Sequence, residues 1–183
     1  GAYLGDEALE QGVDVCVSSW QRAAGNTFPG MAKSAGHYNN AQLIKLEAIT
    51  NGYVEAIALN PSGLISEGSG QNLFAVVDGG LVTPPIEGSN LQGVTRASVM
   101  QIANDLDIPV RESVMPREIL YTADELFFSG TATEVTPIRS VDKIQVGAGK
   151  AGPVTRKIQE RFLGIVSGKF GDDHGWLTLV GGA

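Results

Sequence analysis

The sequence predicts a mixed α/β or α+β domain built on a barrel-like sheet with flanking helices. Segments rich in β-branched and apolar residues alternate with segments of helical periodicity. Several of the predicted strands are joined only by turn residues, which indicates hairpins among the crossover connections. The chain has 183 residues, of which 43% are hydrophobic and 18% charged. This length and composition suffice for a domain with a sizeable core.

The first half of the chain is predicted to hold five strands and one long helix. A β-rich run over 12–20 is followed by a loop that ends at Pro29. The helix is predicted to begin at Lys33 and to stop at Asn51-Gly52. The further strands are expected at 55–59, 64–66, 72–77 and 81–83. The last two flank Asp78-Gly79-Gly80, a hairpin signal.

The second half begins with an amphipathic helix over 93–106. Its apolar residues lie roughly on one side, and they are Val94, Ala97, Met100, Ile102 and Leu106. Three strands are predicted at 110–114, 124–129 and 135–140. A short helix is predicted at 116–120 and a longer one at 153–166. Each begins with a proline, which suits a first helical turn.

Charge and composition exclude several classes of partner. The formal net charge is −7 and no cluster of lysine and arginine occurs, which argues against a nucleic-acid surface or an anionic membrane surface. No apolar run approaches the roughly 18–20 residues that span a bilayer. Cys16 is the only cysteine in the sequence. It cannot form an internal disulfide, which fits a reducing cytosol and a cytoplasmic protein.

Four motifs in the sequence contain the residues most suited to chemistry. They occupy 26–40, 65–74, 91–96 and 129–134. In the first, Lys33 stands among small residues, and an amine that attacks an aldehyde must be neutral, which partial burial favours. Taken singly, each motif also has a plain structural interpretation, because most lysines are solvated and a threonine near a helix start can be a simple N-cap.

Taken together and in this order, the four motifs resemble the branched-chain aminotransferases, which belong to the D-amino-acid-transaminase-like (fold type IV) pyridoxal phosphate enzymes. The resemblance runs from about residue 1 to about residue 180. It implies that 1–183 is the large, C-terminal cofactor-binding domain, with a smaller N-terminal domain absent from the sequence. It also implies the barrel-like large-domain fold of that family and pyridoxal 5′-phosphate as cofactor, with no metal.

The same resemblance implies how the cofactor ring is held. Lys33 would form the Schiff base and move a proton during the reaction. Glu67 would face the pyridine nitrogen, Tyr38 the phenolic oxygen, and Leu91 one face of the ring. On residue type alone, Tyr38 and Leu91 could equally be packing residues and Glu67 an exposed turn residue.

The remaining implied sites bind the phosphate and the substrate. Val94 and Thr95 stand at a predicted helix N-terminus, where free N–H groups form an anion site. Thr131 would complete the phosphate site. The backbone N–H groups of Thr131 and Ala132 would also bind the substrate carboxylate.

The implied reaction passes the amino group of leucine, isoleucine or valine to 2-oxoglutarate. Two other reactions of the same fold stay open, a D-amino acid aminotransferase and an aminodeoxychorismate lyase. A third possibility is a catalytically silent fragment, since the sequence opens without the expected N-terminal domain. Small amino acids and 2-oxo acids are the expected partners, and the family predicts a homodimer or a higher homo-oligomer.

Overall fold

The computed structural model describes residues 4–178, 180 and 181. Within them, nine strands form one sheet. The strands are β1 (Val13–Val17), β2 (Glu55–Leu59), β3 (Ile65–Gly68), β4 (Asn72–Val77), β5 (Gly80–Thr83), β6 (Val110–Glu112), β7 (Glu125–Gly130), β8 (Glu134–Val141) and β9 (Ile144–Gln145). The helices are α1 (Asp6–Gln11), α2 (Tyr38–Thr50), α3 (Val94–Asp105), α4 (Ile119–Thr122) and α5 (Pro153–Val166).

The sheet mixes parallel and antiparallel pairs, which confirms the predicted fold class. Its order is β3-β2-β1-β8-β7-β4-β5-β6, with β9 paired to β8. Strand β1 runs parallel to both β2 and β8, and β5 runs parallel to β6. The pairs β2–β3, β4–β5, β4–β7 and β7–β8 are antiparallel. The sheet curls, so that the edge strand β3 returns beside β4 across a tight turn.

The two central strands β4 and β7 divide the core between the faces of the sheet. Leu73 and Phe128 belong to a cluster on one face, whereas Phe74 and Phe127 belong to a cluster beneath α3 and α5. This split follows from the alternation of side chains along a strand. The Phe74 and Phe127 rings stack with centroids 5.1 Å apart. Each such fully buried side chain contributes roughly 1.5–3 kcal/mol to stability.

The structure corrects the predicted start of the first long helix. Helix α2 begins at Tyr38 after a short 3₁₀ turn, so Lys33 lies in the preceding loop rather than in the helix. The imidazole Nε2 of His37 lies 2.7 Å from the Pro29 carbonyl oxygen, which closes this loop on itself. The buried face of α2 consists of Ala41, Ile44 and Ala48. Three larger apolar residues of the same helix are exposed, and they are Leu43, Leu46 and Ile49.

A similar correction applies to α3. Its packed face contains Thr95, Val99 and Ile102, because these residues follow helical spacing on the side that meets the sheet. Val94, predicted to share the apolar side, is 80% exposed. Helix α4 and strand β6 are shorter or shifted relative to the prediction, and the brief elements α1 and β9 were not predicted. In the described part of the chain, no helix combines the length and apolarity that crossing a membrane requires.

Candidate active site

A cleft opens between the loop that precedes α2 and the turn that joins β3 to β4. Lys33 and Tyr38 line it from the side of the loop, and Glu67 and Leu91 line it from the opposite elements. Arg22, from the loop after β1, completes the wall. The structure therefore brings four of the eight implied site residues to one cavity.

Glu67 lies next to the end of strand β3, and its side chain is almost fully buried. One carboxylate oxygen, Oε2, accepts hydrogen bonds from the Asn72 side-chain amide at 3.2 Å and from the Leu91 backbone N–H at 3.1 Å. The Asn72 amide also donates to the Leu91 carbonyl at 2.9 Å. The other oxygen, Oε1, lies 2.7 Å from the Arg22 guanidinium. Four polar contacts thus hold the carboxylate and the neighbouring segment in one orientation.

Burial raises the pKa of the Glu67 carboxyl to about 7, against an ordinary value of 4.5. The nearby Arg22 guanidinium, the Leu91 N–H and the Lys33 amine oppose this shift, because each favours the ionised form. A carboxyl balanced between burial and cations near neutral pH can hold or release a proton. Such perturbed groups in clefts are candidates for functional sites.

Arg22 is a site residue that the sequence reasoning missed. Its backbone N–H donates to the Leu59 carbonyl at 2.9 Å, which fixes the loop against β2. Its Nε is buried, and among the described residues it has no hydrogen-bond partner. An arginine in an irregular loop gives no periodic signal. The available clue was indirect, since a buried Glu67 requires a cation nearby.

Lys33 is exposed, although partial burial would favour the neutral amine. The loop around it is made of small residues, among them Gly30, Ala32 and Ser34, which offer no side chain long enough to cover the amine. Tyr38 is 44% exposed at the first turn of α2. Both residues are therefore accessible from the open side of the cleft.

A second cleft adjoins the first and contains two more of the implied residues. Thr131 and Ala132, from the turn between β7 and β8, line it together with Lys33 and Tyr38. Both turn residues are exposed. The lysine therefore stands between the buried carboxylate on one side and the β7–β8 turn on the other.

The N-terminus of α3 lies beside the first cleft without lining it. Val94 points to solvent, and Thr95 is buried against the sheet. Gly93 packs so closely on Asn72 that a Cβ atom at this position would overlap the asparagine side-chain oxygen. The unbonded N–H groups of the first helical turn are suited to an anion. Asn72 therefore packs against this helix terminus and also contacts Glu67.

Comparison with known proteins identifies the family. The family model described as amino-transferase class IV matches residues 3–141. The chain belongs to the class IV aminotransferases. Within the described residues, no group of three or more histidine, cysteine, aspartate or glutamate side chains is arranged to hold a metal ion.

Curated relatives of this class IV aminotransferase chain are named branched-chain-amino-acid aminotransferases. The protein of Escherichia coli (strain K12) is 56% identical over 180 residues, which cover 98% of this chain and 58% of that protein. The corresponding protein of Pseudomonas aeruginosa is 45% identical over the same length. The chain thus spans a little over half the length of these relatives.

Solved structures show the same similarity. A crystal structure of the Escherichia coli branched-chain amino acid aminotransferase superposes with a TM-score of 0.94 and 56% identity, over 96% of this chain and 58% of that chain. The branched-chain amino acid aminotransferase of Thermobaculum terrenum, solved in its PLP-form, gives a TM-score of 0.88 at 38% identity, over 91% of this chain and 54% of that one. These similarities confirm the resemblance and the fold expected from the four motifs.

Proposed function

We propose that the complete gene product is a pyridoxal phosphate-dependent aminotransferase that moves the amino group of leucine, isoleucine or valine to 2-oxoglutarate. The observation that carries this proposal is the convergence of Lys33 and the buried Glu67 on one cleft. The relatives named as branched-chain aminotransferases support the choice of reaction and of substrate.

The residues present fit pyridoxal 5′-phosphate. The cleft contains an accessible amine at Lys33 and a buried carboxylate at Glu67, which are the groups that the aldehyde and the pyridine nitrogen of this cofactor require. A ring nitrogen near Glu67 would add a positive partner and favour the ionised carboxylate. When bound, the cofactor supplies a ring that stabilises negative charge at the substrate α-carbon.

In this proposal, the residues of the chain bind, orient and move protons. The Lys33 amine would move a proton between the substrate α-carbon and C4′ of the cofactor. Tyr38 provides a hydroxyl to the phenolic oxygen, and Leu91 covers one face of the ring. Glu67 keeps a proton at the ring nitrogen.

The other proposed contacts are made largely by backbone groups. The N-terminus of α3 at Val94 and Thr95 binds the phosphate, together with the Thr131 hydroxyl. The N–H groups of Thr131 and Ala132 bind the substrate carboxylate. A homodimer or higher oligomer and a cytoplasmic location stay predictions from the sequence.

The test is reductive trapping. Borohydride treatment of the complete gene product with pyridoxal phosphate should attach the cofactor to the peptide that contains Lys33, as read by mass spectrometry. Lys33→Ala should remove this adduct, the visible absorbance of the bound cofactor and turnover of L-leucine. Lys157→Ala, on the exposed side of α5, is the control and should retain all three. An adduct on another lysine, or full turnover by Lys33→Ala, would refute the proposal.

Substrate class is decided by assaying L-leucine, D-alanine and aminodeoxychorismate in parallel. A preference for either of the last two would replace the branched-chain reaction by one of the alternatives of the same fold. The 183-residue chain assayed by itself addresses the silent-fragment alternative. We expect weak cofactor binding and little turnover from it, and normal specific activity would contradict that expectation.

A further inference from the structure

A buried polar network lies behind the cleft wall. Glu55, on β2, is fully buried. Its Oε2 accepts hydrogen bonds from the Lys45 amine at 3.0 Å and from the Gln71 side-chain amide at 3.0 Å. Its Oε1 accepts from the Ala56 backbone N–H at 2.9 Å. A buried carboxylate with these three donors is satisfied, and it holds the Gln71 amide in a single orientation.

Gln71 connects this network to the turn that follows Glu67. Its side-chain oxygen accepts from the Gly70 backbone N–H at 3.0 Å, and its backbone carbonyl accepts from the Gly68 N–H at 2.7 Å. One residue therefore fixes both ends of the 68–70 turn. A Cβ atom at Gly68 would lie 2.6 Å from the Gln71 side-chain oxygen, so the turn and the amide are in direct contact.

Gln71 also reaches the second loop of the site. It lines both clefts, the one with Glu67 and the one with Thr131. Its Cγ lies 3.8 Å from the position of a Cβ atom at Gly130, in the strand end that leads to the β7–β8 turn. The amide thus stands where the two loops of the proposed active site meet.

We propose that Gln71 is a positioning residue for the transamination reaction, held by Glu55 and Lys45. It sets the spacing between the Glu67 carboxylate and the β7–β8 turn. This inference rests on the proposed function. The role requires an amide, because the side chain must donate to a carboxylate and accept from a backbone N–H at the same time.

A carboxylate at position 71 would keep the shape and the acceptor but lose the donor. Two buried carboxylates in contact cannot both be ionised, so their shared proton would be held to a higher pH than usual. The charged and titratable groups around this pair come from several elements, and they are Lys45, Cys16, Glu67, Lys33, Arg22, His37 and Tyr38. Lys45 would compensate one negative charge and leave the second without a partner.

The experiment compares Gln71→Glu, Gln71→Met and the exchange Glu55→Gln/Gln71→Glu in the complete gene product. The readouts are the ratio of kcat/KM for L-leucine to that of the unmodified protein across pH, and the Kd for pyridoxal phosphate. Gln71→Glu should lower kcat/KM about tenfold or more at about pH 8, since loss of a buried donor costs roughly 1–3 kcal/mol. The ratio should recover towards about pH 6, where the shared proton restores the donor.

The other two variants make the test specific. The exchange variant returns one donor and one carboxylate to the pair, so we expect kcat/KM at about pH 8 within roughly threefold of the unmodified protein. Gln71→Met has similar length without hydrogen bonds and should be impaired equally at every pH. If Gln71→Glu does not fold, an exchange variant within roughly threefold of the unmodified protein supports the inference, and an exchange variant as impaired as Gln71→Met overturns it.

Parallel pH profiles for Gln71→Glu and the unmodified protein would overturn the inference. An exchange variant no better than Gln71→Glu would overturn it as well. In both cases, borohydride trapping on Lys33 in the unmodified protein would leave the proposed function intact. Absence of that trapping would overturn the proposed function and, with it, this inference.

Discussion

The buried charge of Glu67 should make the stability of the cofactor-free protein depend on pH. Burial raises the pKa of its carboxyl from 4.5 to about 7. Between these two values, the folded protein retains a proton that the unfolded chain has released, so the free energy of unfolding falls as the pH rises. A tenfold difference in proton affinity corresponds to about 1.4 kcal/mol, and the full loss above about pH 7 is therefore roughly 3 kcal/mol.

Glu67→Gln removes this proton equilibrium while it keeps the shape of the side chain. Urea unfolding between about pH 5 and about pH 8 should show the free energy of unfolding of the unmodified protein falling by roughly 2.5 kcal/mol relative to the variant, because the unfolded carboxyl is already largely ionised at the lower end of this range. The ion pair with Arg22 requires the ionised carboxylate, and its effect is already contained in the pKa of Glu67, so it adds no separate dependence on pH. Every group common to both proteins cancels in the difference.

The control is Glu160→Gln on the exposed side of α5, which should track the unmodified protein at every pH. The sign of this pH dependence distinguishes Glu67 from acids that stabilise the protein in their ionised form. Asp14 and Glu47 have a lowered pKa, because side-chain and backbone groups hydrogen-bond to their ionised forms against the opposing effect of burial. Their contribution is lost only as the pH falls below this window. Equal slopes for the unmodified protein and Glu67→Gln would refute the reasoning.

Two further predictions concern packing and capping. Gly93→Ala should destabilise the protein by about 1–3 kcal/mol and weaken pyridoxal phosphate binding, because the added methyl displaces Asn72. Thermal unfolding measures the loss of stability. Gly25→Ala is the neutral control, since a Cβ atom at this position would meet nothing within 4 Å. Glu125→Ala should cost about 1–2 kcal/mol, since this carboxylate accepts from two first-turn N–H groups of α5 at 3.0 and 2.7 Å. Urea unfolding beside Glu160→Ala tests it, and equal midpoints for the two variants would contradict the cap.

The sequence predicted those elements whose patterns are local. The β4–β5 hairpin was predicted from Asp78-Gly79-Gly80, and the structure has both strands at nearly the expected bounds. The strands β7 and β8 and the helix α5 were equally predictable, because turn residues and a first-turn proline mark their ends. The buried face of α3 was harder to predict. Val94 is exposed and Thr95 is buried, the reverse of what the hydrophobicity of the two side chains predicts. The position of the sheet determines which of them is buried.

The candidate site was predictable as a set of motifs and unpredictable as a network. Lys33, Glu67 and Thr131 could be selected because they sit in ordered motifs. Arg22 and Glu55 could not, because each acts through a partner far away in sequence. Glu55 meets Gln71 and Arg22 meets Glu67 only after the sheet has curled. Tertiary contacts of this kind have no local pattern to read.

The contacts of Glu67 suggest how the chain prepares a cofactor site in advance. Its Oε2 is engaged by Asn72 and by the Leu91 backbone, so the carboxylate cannot rotate without breaking hydrogen bonds on two elements. Its second oxygen, Oε1, faces the Arg22 guanidinium. A ligand cation that approaches Oε1 therefore meets an oriented acceptor and need not bear the cost of ordering it. The same reasoning explains why the protein tolerates a buried acid here. A carboxylate oriented before binding attracts a ligand cation strongly only where water does not screen its charge.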